Sequence, residues 1–208
     1  EIFIVDDKSS DRTLEKLYEV KKSFDDWETL TILEQKENKG KATALNVALQ
    51  QVNSKYMLVI DADSYLSKDA LSYLLAELTS SSDIGAVTGR PIVRNRTTLL
   101  GKLQTLEYLS VIDAIKRAQS LFLGAIMTVS GVIVMYRVEA LKEIGGFNTE
   151  VMTEDIDVTW RLHRNQWKVK YVPKALSYIL VPENLKSLLK QRRRWAVGGV
   201  EVLISNLS

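Results

Sequence analysis

"YMLVIDADSYL", residues 56–66, carries five apolar or aromatic residues into two aspartates separated by one alanine. A short apolar run that stops at acidic residues reads as a buried β-strand with its carboxyl end at solvent. The same layout opens the chain in "EIFIVDD", residues 1–7. Between the two strands, Ser10 is placed to cap a helix with a Leu14, Leu17 and Tyr18 stripe, and "LTIL", residues 30–33, follows as a further strand. "GKATALNVALQQV", residues 40–52, then sets Ala42, Leu45, Ala48, Leu49 and Val52 on one helical face.

Downstream of the acidic motif the alternation continues with a helix over residues 68–79 and the strand "IGAVTG", residues 84–89. Strand, helix and strand in repetition predict an α/β fold with a largely parallel sheet between two helical layers. Beyond Pro91 the pattern loosens into a long helix near 98–118, an uncharged stretch, a helix near 153–166, the strand "KVKYV" at 168–172 and a last helix. Residues 118–136 carry no charge, but Gln119, Ser120, Thr128, Ser130 and two glycines argue against a membrane span, and a buried loop and strand is expected.

With 208 residues, 46% hydrophobic and 26% charged, the chain suits one compact domain, read here as a single unit over 1–208. A formal net charge of +2 leaves no basic field of the kind that would bind nucleic acid. Cysteine is absent, which removes disulfides, thiolate metal sites and cysteine nucleophiles together. The chain opens within a strand and without Met, so it reads as a fragment.

Open α/β sheets bind ligands beyond the carboxyl ends of their strands, where Asp6, Asp7, Asp61 and Asp63 are expected. Each pair alone reads more simply as turn formers. Together they are oxygen ligands suited to Mg²⁺ or Mn²⁺ bridging to a diphosphate. A strand ending in DxD equally suits a haloacid-dehalogenase-type phosphatase, whose first aspartate attacks phosphorus.

Three further motifs add chemistry. "TEDIDVTW" puts Thr153, Glu154 and Asp155 at a helix start, where one carboxylate can act as general base, although plain capping explains the motif nearly as well. "KQRRRW" offers Gln191, Arg194 and Trp195 on adjoining helical positions: an amide, a phosphate-pairing guanidinium and a flat surface for a sugar ring. Its plain alternative is a solvated basic helix end with a core tryptophan. "NKGKATALN" sets Lys39 and Lys41 around Gly40 at a helix start, a place that holds anions. His163 is expected on a helix surface without a catalytic role.

The order "VDD", "DAD", "TED", "QRRRW" resembles the processive inverting glycosyltransferases of family 2, the group of cellulose, chitin and hyaluronan synthases. "GAVTGRPIVRN", "LGKLQTLEY", "KRAQSL", "VSGV" and "VPENLKSLLKQRRRWAVGG" look most like the bacterial branch that makes poly-β-1,6-N-acetylglucosamine. The resemblance implies a GT-A, Rossmann-like three-layer fold with a nucleotide-sugar-binding half at 1–90 and an acceptor-binding, catalytic half at 91–208. It assigns Asp6 or Asp7 to the uridine, with Lys41 also on the nucleotide-sugar side. Asp61 and Asp63 go to the ribose and the metal-bridged diphosphate, Asp155 to the acceptor hydroxyl within the Thr153–Glu154–Asp155 motif, Gln191 and Arg194 to the diphosphate, and Gly131 and Trp195 to the acceptor. It further implies a UDP-sugar donor, most simply UDP-N-acetylglucosamine, and a polysaccharide acceptor. A missing first strand, flanking transmembrane helices, a small membrane partner subunit and a catalytic domain on the cytoplasmic face of the cell membrane complete the expectation. A non-processive family 2 transferase and a nucleotide-sugar-binding module without activity are the other readings.

Overall fold

The computed structural model describes residues 1–23 and 29–207. Strand β1 (Ile2–Asp6) is followed by α1 (Thr13–Ser23), β2 (Leu30–Glu34), α2 (Lys41–Gln51), β3 (Tyr56–Ile60), the short β4 (Tyr65–Leu66), α3 (Ala70–Thr79) and the long β5 (Ile84–Val93). A helix then runs as α4 (Leu99–Glu107), a π-helical turn (Tyr108–Asp113) and α5 (Ala114–Phe122). It leads to β6 (Ile133–Arg137), α6 (Val138–Glu143), α7 (Glu154–Arg164), β7 (Lys168–Ile179) and α8 (Leu185–Leu207).

The sheet is mixed, which corrects the expectation of a largely parallel one. β1 and β2 pair in parallel, and a second sheet has the order β3-β6-β5-β7-β4. Within it β5 and β7 run parallel, whereas β6 is antiparallel to both β3 and β5, and β4 is antiparallel to β7. Hydrophobic periodicity shows that "IVMYR" is a two-faced strand but carries no information about its direction. Here direction has a consequence. The antiparallel register sets Ile133, the first residue of β6, opposite Ile60, the last residue of β3. The loop that precedes β6 therefore arrives at the rim where β3 ends, beside Asp61.

β6 also shows why the sheet is a middle layer. Val134 and Tyr136 face a core shared with Ala48 and Leu49 of α2, Ala140 of α6 and Val158 of α7. Ile133 and Met135 face a second core with Ala70, Leu74 and Leu78 of α3. Alternate residues of one strand thus bury on opposite faces, as a period of two requires. Leu74 and Leu78 are fully buried, and burying each contributes about 1.5–3 kcal/mol. The α2 stripe expected from the sequence is the packed face, with Leu45 partly buried against the same core.

Local differences have local causes. Asp11, not Ser10, caps α1: its carboxylate accepts from the Thr13 amide at 2.9 Å and the Thr13 hydroxyl at 2.5 Å. Of residues 118–136, the strand is buried as expected, but α5 takes the first part and leaves Leu121 and Phe122 exposed. No helix among the described residues is long and apolar enough to cross a membrane. His163 is half-buried rather than on the surface, with Nε2 at 2.8 Å from the Ile126 carbonyl, which ties α7 to the loop before β6.

Candidate active site

Four segments converge at the carboxyl ends of β3, β5 and β7. They are the start of α2, the Asp61–Asp63 turn, the loop ahead of β6 and the start of α7, with α8 laid across them. They enclose a cavity of about 1090 Å³ lined by Lys41, Asp61, Asp63, Ser130, Gly131, Thr153, Glu154, Asp155, Gln191, Arg194 and Trp195, with Tyr108 and Lys116 from the long helix. Motifs separated by more than a hundred residues in the chain meet in one space.

Lys41 joins several of these pieces. Its ammonium lies 2.5 Å from Asp61 Oδ1 and 3.3 Å from Glu154 Oε1, and it donates to the Gly131 carbonyl at 3.3 Å. Burial works against its charge, but Glu154 and Asp61 outweigh that and raise its pKa. The sequence suggests an anion-holding lysine, whereas here two carboxylates already neutralise it. Lys39 also lines the cavity but is exposed and pairs with Glu37 at 3.4 Å. Burial pushes the Glu154 carboxyl above its ordinary pKa, and Lys41 restrains the shift.

Asp155 is held from two sides. Its Oδ2 accepts from the Gly131 amide at 3.3 Å and its Oδ1 from the Ile156 amide at 3.0 Å. Gly131 sits against this carboxylate: a Cβ built there would lie 3.1 Å from Oδ2. Thr153 does not cap α7 with its side chain. Its hydroxyl is buried without a hydrogen-bond partner among the described residues, and its side chain packs on Gly198 of α8. Plain helix capping therefore does not account for the Thr153–Asp155 motif.

On α8, Gln191 presents a buried amide oxygen with no hydrogen-bond partner among the described residues, and Arg194 is exposed at the cavity. Trp195 is partly buried against Val93, Tyr108, Ile179 and Val181. One ring face is occupied by the Arg192 guanidinium at 4.3 Å, itself paired with Glu107 at 2.5 Å. The tryptophan is thus both a packing residue and a cavity wall.

Asp6 and Asp7 do not line the cavity. Asp6 is buried and accepts from the Ser9 amide at 3.1 Å and hydroxyl at 2.5 Å, closing a turn. Asp7 accepts from the amides of Lys39 at 2.9 Å and Gly40 at 2.7 Å and from Gln35 at 2.8 Å, so it shapes the approach to α2. Asp6 thus holds the turn after β1, and Asp7 holds the loop that leads to Lys41.

Asp61 and Asp63 follow β3 directly and line the cavity together. Among the described residues no group of three or more His, Cys, Asp or Glu is arranged to hold a metal ion. Two carboxylates nevertheless fit a hard divalent cation whose remaining ligands come from a substrate diphosphate and water.

The sequence reading passed over Lys116. It is nearly fully buried, its ammonium donates to the Ser130 hydroxyl, and it lines the cavity. Its local sequence gives no such signal, because Asp113, Arg117, Gln119 and Ser120 surround it as they would a surface lysine.

Residues 1–198 match the family model described as "Glycosyltransferase like family 2". The chain belongs to glycosyltransferase family 2. It is 46% identical over 204 residues to a poly-β-1,6-N-acetyl-D-glucosamine synthase of Staphylococcus epidermidis, covering 98% of this chain and 48% of that protein. It is 43% identical over the same length to the enzyme of that name from Staphylococcus aureus strain COL, with the same coverage. The chain thus spans about half the length of these relatives. Among solved structures it resembles the mannosyltransferase PcManGT of Pyrobaculum calidifontis in complex with GDP-Man and Mn²⁺, with a TM-score of 0.78, 24% identity, and coverage of 100% of this chain and 55% of that one. S. aureus TarS superposes with a TM-score of 0.61 at 20% identity over 87% of this chain and 31% of that one. These similarities establish the GT-A type of this family 2 fold, and membership of the family sets the phosphatase reading aside.

Proposed function

We propose that this chain is the catalytic domain of an inverting, metal-dependent polymerase that transfers N-acetylglucosamine from UDP-N-acetylglucosamine to the end of a growing β-linked polysaccharide. The observation that carries the reading is the meeting, in one cavity, of Asp61 and Asp63 with Asp155 and with Gln191, Arg194 and Trp195. The high identity to proteins named poly-β-1,6-N-acetyl-D-glucosamine synthase supports this choice of sugar and product.

In this reading residues 1–90 carry most of the donor side and 91–208 the acceptor side and the base. The acceptor hydroxyl gives its proton to the Asp155 carboxylate as its oxygen bonds to the anomeric carbon from the face opposite the diphosphate. The anomeric C–O bond breaks, its electron pair leaves with UDP, and an α-linked donor yields a β-linked product. Arg194 meets the leaving diphosphate and Gln191 offers its amide beside it. Asp61 and Asp63 would hold a Mg²⁺ or Mn²⁺ ion, which supplies charge neutralisation for the departing phosphate oxygens. Gly131 leaves room for Asp155 at the acceptor, and Trp195 gives an apolar wall to a sugar ring. One base and a stabilised leaving group suffice for inversion without a carboxylate nucleophile.

The same reading places the domain on the cytoplasmic face of the cell membrane, next to transmembrane helices of a longer polypeptide and a small membrane partner subunit. Its test is incubation of membranes bearing the full-length protein with a panel of UDP-sugars and Mg²⁺ or Mn²⁺, following UDP release and polymer formation. Polymer from UDP-N-acetylglucosamine alone is expected. UDP release without any polymer would identify a single-sugar transferase, and neither would leave a binding module.

A further inference from the structure

The mechanism above gives tasks to Asp61, Asp63 and Asp155 but leaves the buried cation Lys116 without one. Lys116 is only 8% exposed and reaches the cavity from α5. A buried ammonium away from ion-pair partners is costly and is kept only where something requires it. Among the described residues no carboxylate lies within ion-pairing distance of Lys116 in the way that Asp61 and Glu154 hold Lys41, or Glu107 holds Arg192. Its hydrogen-bond partner is the neutral Ser130 hydroxyl, and it faces the Tyr171 ring of β7 at 5.9 Å.

The nearest negative charges are Asp155 of α7 and Asp113 of its own helix, and both favour its charged form. They are not equivalent. Asp113 is already saturated: Arg117 binds both its oxygens at 3.0 Å, Arg90 lies 3.2 Å away, and the Tyr171 hydroxyl donates to it at 2.5 Å. Among the described residues Asp155 accepts hydrogen bonds from the two backbone amides alone.

Ser130 completes the geometry. Its amide donates to the Thr88 hydroxyl at 3.0 Å, its hydroxyl oxygen accepts a hydrogen bond from the Lys116 ammonium, and the next amide, that of Gly131, donates to Asp155. Lys116 thus grips the residue beside the one whose amide holds Asp155, while Lys41 binds the Gly131 carbonyl. The π-helical turn matters here. An extra residue in the turn Tyr108–Asp113 resets the helical phase just before Lys116, and such turns recur at functional sites.

We propose that Lys116 is a positioning residue for the transfer reaction, fixing the Ser130–Gly131 turn against Asp155 while the acceptor binds. The proposal rests on the reading of Asp155 as the base. Burial lowers the Lys116 ammonium to about 8, above neutrality, so the cation is present under working conditions.

The test uses the full-length protein in membranes, with Lys116→Met, Lys116→Arg, Ser130→Ala and Asp155→Asn compared for polymer synthesis and UDP affinity. Lys116→Met is expected to lower kcat about tenfold or more with UDP affinity within about threefold. Lys116→Arg, which keeps a cationic donor at this place, should restore much of kcat, and Ser130→Ala, which removes the acceptor, should lower it with UDP affinity again held. A Lys116→Met enzyme with unchanged kcat, beside an inactive Asp155→Asn enzyme, overturns the proposal. So does an equal loss of UDP affinity and synthesis in Lys116→Met, the mark of a merely structural lysine. Near-normal synthesis by Asp155→Asn overturns the base assignment itself and this proposal with it.

Discussion

The amide of Gly131 donates to Asp155 Oδ2 at 3.3 Å, and no side chain fits between them. A Cβ on residue 131 would lie 3.1, 3.4 and 3.5 Å from Oδ2, Cβ and Cγ of Asp155. Gly131→Ala must therefore push the carboxylate aside by a few tenths of an ångström without touching Asp61 or Asp63. A displaced base costs rate more than binding, so synthesis should fall about tenfold or more while UDP affinity holds. Paired synthesis and calorimetry on one preparation check this; equal losses would mean that the turn as a whole has moved.

Gly198 and Thr153 form a second close approach, between α8 and the start of α7. A Cβ at 198 would stand 2.5 Å from Cγ2 and 2.7 Å from Oγ1 of Thr153. Gly198→Ala should destabilise the fold by about 1–3 kcal/mol through overpacking, offset in part by better helix propensity. Thr153→Ala removes both contacting atoms, so the double variant should recover much of the loss. Urea denaturation of the four proteins gives the coupling, and additive effects would show that the two residues do not meet.

Asp155→Asn removes the proposed proton acceptor while preserving shape. Polymer synthesis should vanish while UDP affinity stays within about threefold, or roughly 0.7 kcal/mol. If Asp155 served only as a negative charge at a helix start, the variant would lose about 0.3–1 kcal/mol of stability and stay active.

Asp63 is exposed at the cavity and, unlike Asp61, has no ion pair to Lys41. UDP titrations with and without Mn²⁺ should show cation-dependent affinity in the unmodified protein, largely lost in Asp63→Ala. Equal affinity in both conditions for the unmodified protein would remove the cation from donor binding.

Stability should carry a signature of Lys116. Burial lowers its pKa from 10.5 to about 8. Between those values the unfolded chain binds more protons than the folded one, so the lysine's contribution to stability rises with pH across that window. Below it, the cost of burying the cation is felt in full. Relative to Lys116→Met, the unmodified protein should gain on the order of 1 kcal/mol per pH unit between about pH 8 and pH 10. The raised pKa values of Tyr108, Tyr136 and Tyr171 act in both proteins and are removed by taking the difference. A flat difference in denaturation free energy across this range would refute the burial of the charged form.

Much of this was legible in the chain itself. Period-two and period-3.6 patterns record which side of an element meets the core, and this is local information; hence β1, β2, β3, the α2 stripe and α7 stand where the sequence puts them. Residue chemistry likewise nominated Asp61, Asp63, Asp155, Gln191, Arg194 and Trp195, all of which line one cavity. What the chain does not encode locally is strand direction and the pairing of charges across it. Antiparallel insertion of β6 between β3 and β5 delivers Ser130 and Gly131 to the Asp61 rim. That placement pairs Lys41 with Asp61 and Glu154 and gives Lys116 its place beside Ser130. Asp6 and Asp7 go the other way, drawn into turns by nearby amides that only the folded loops supply. Burial and long-range Coulomb contacts depend on residues a hundred positions apart, so tertiary structure alone decides which of several eligible charges lines the cavity and which is taken up by neighbouring groups.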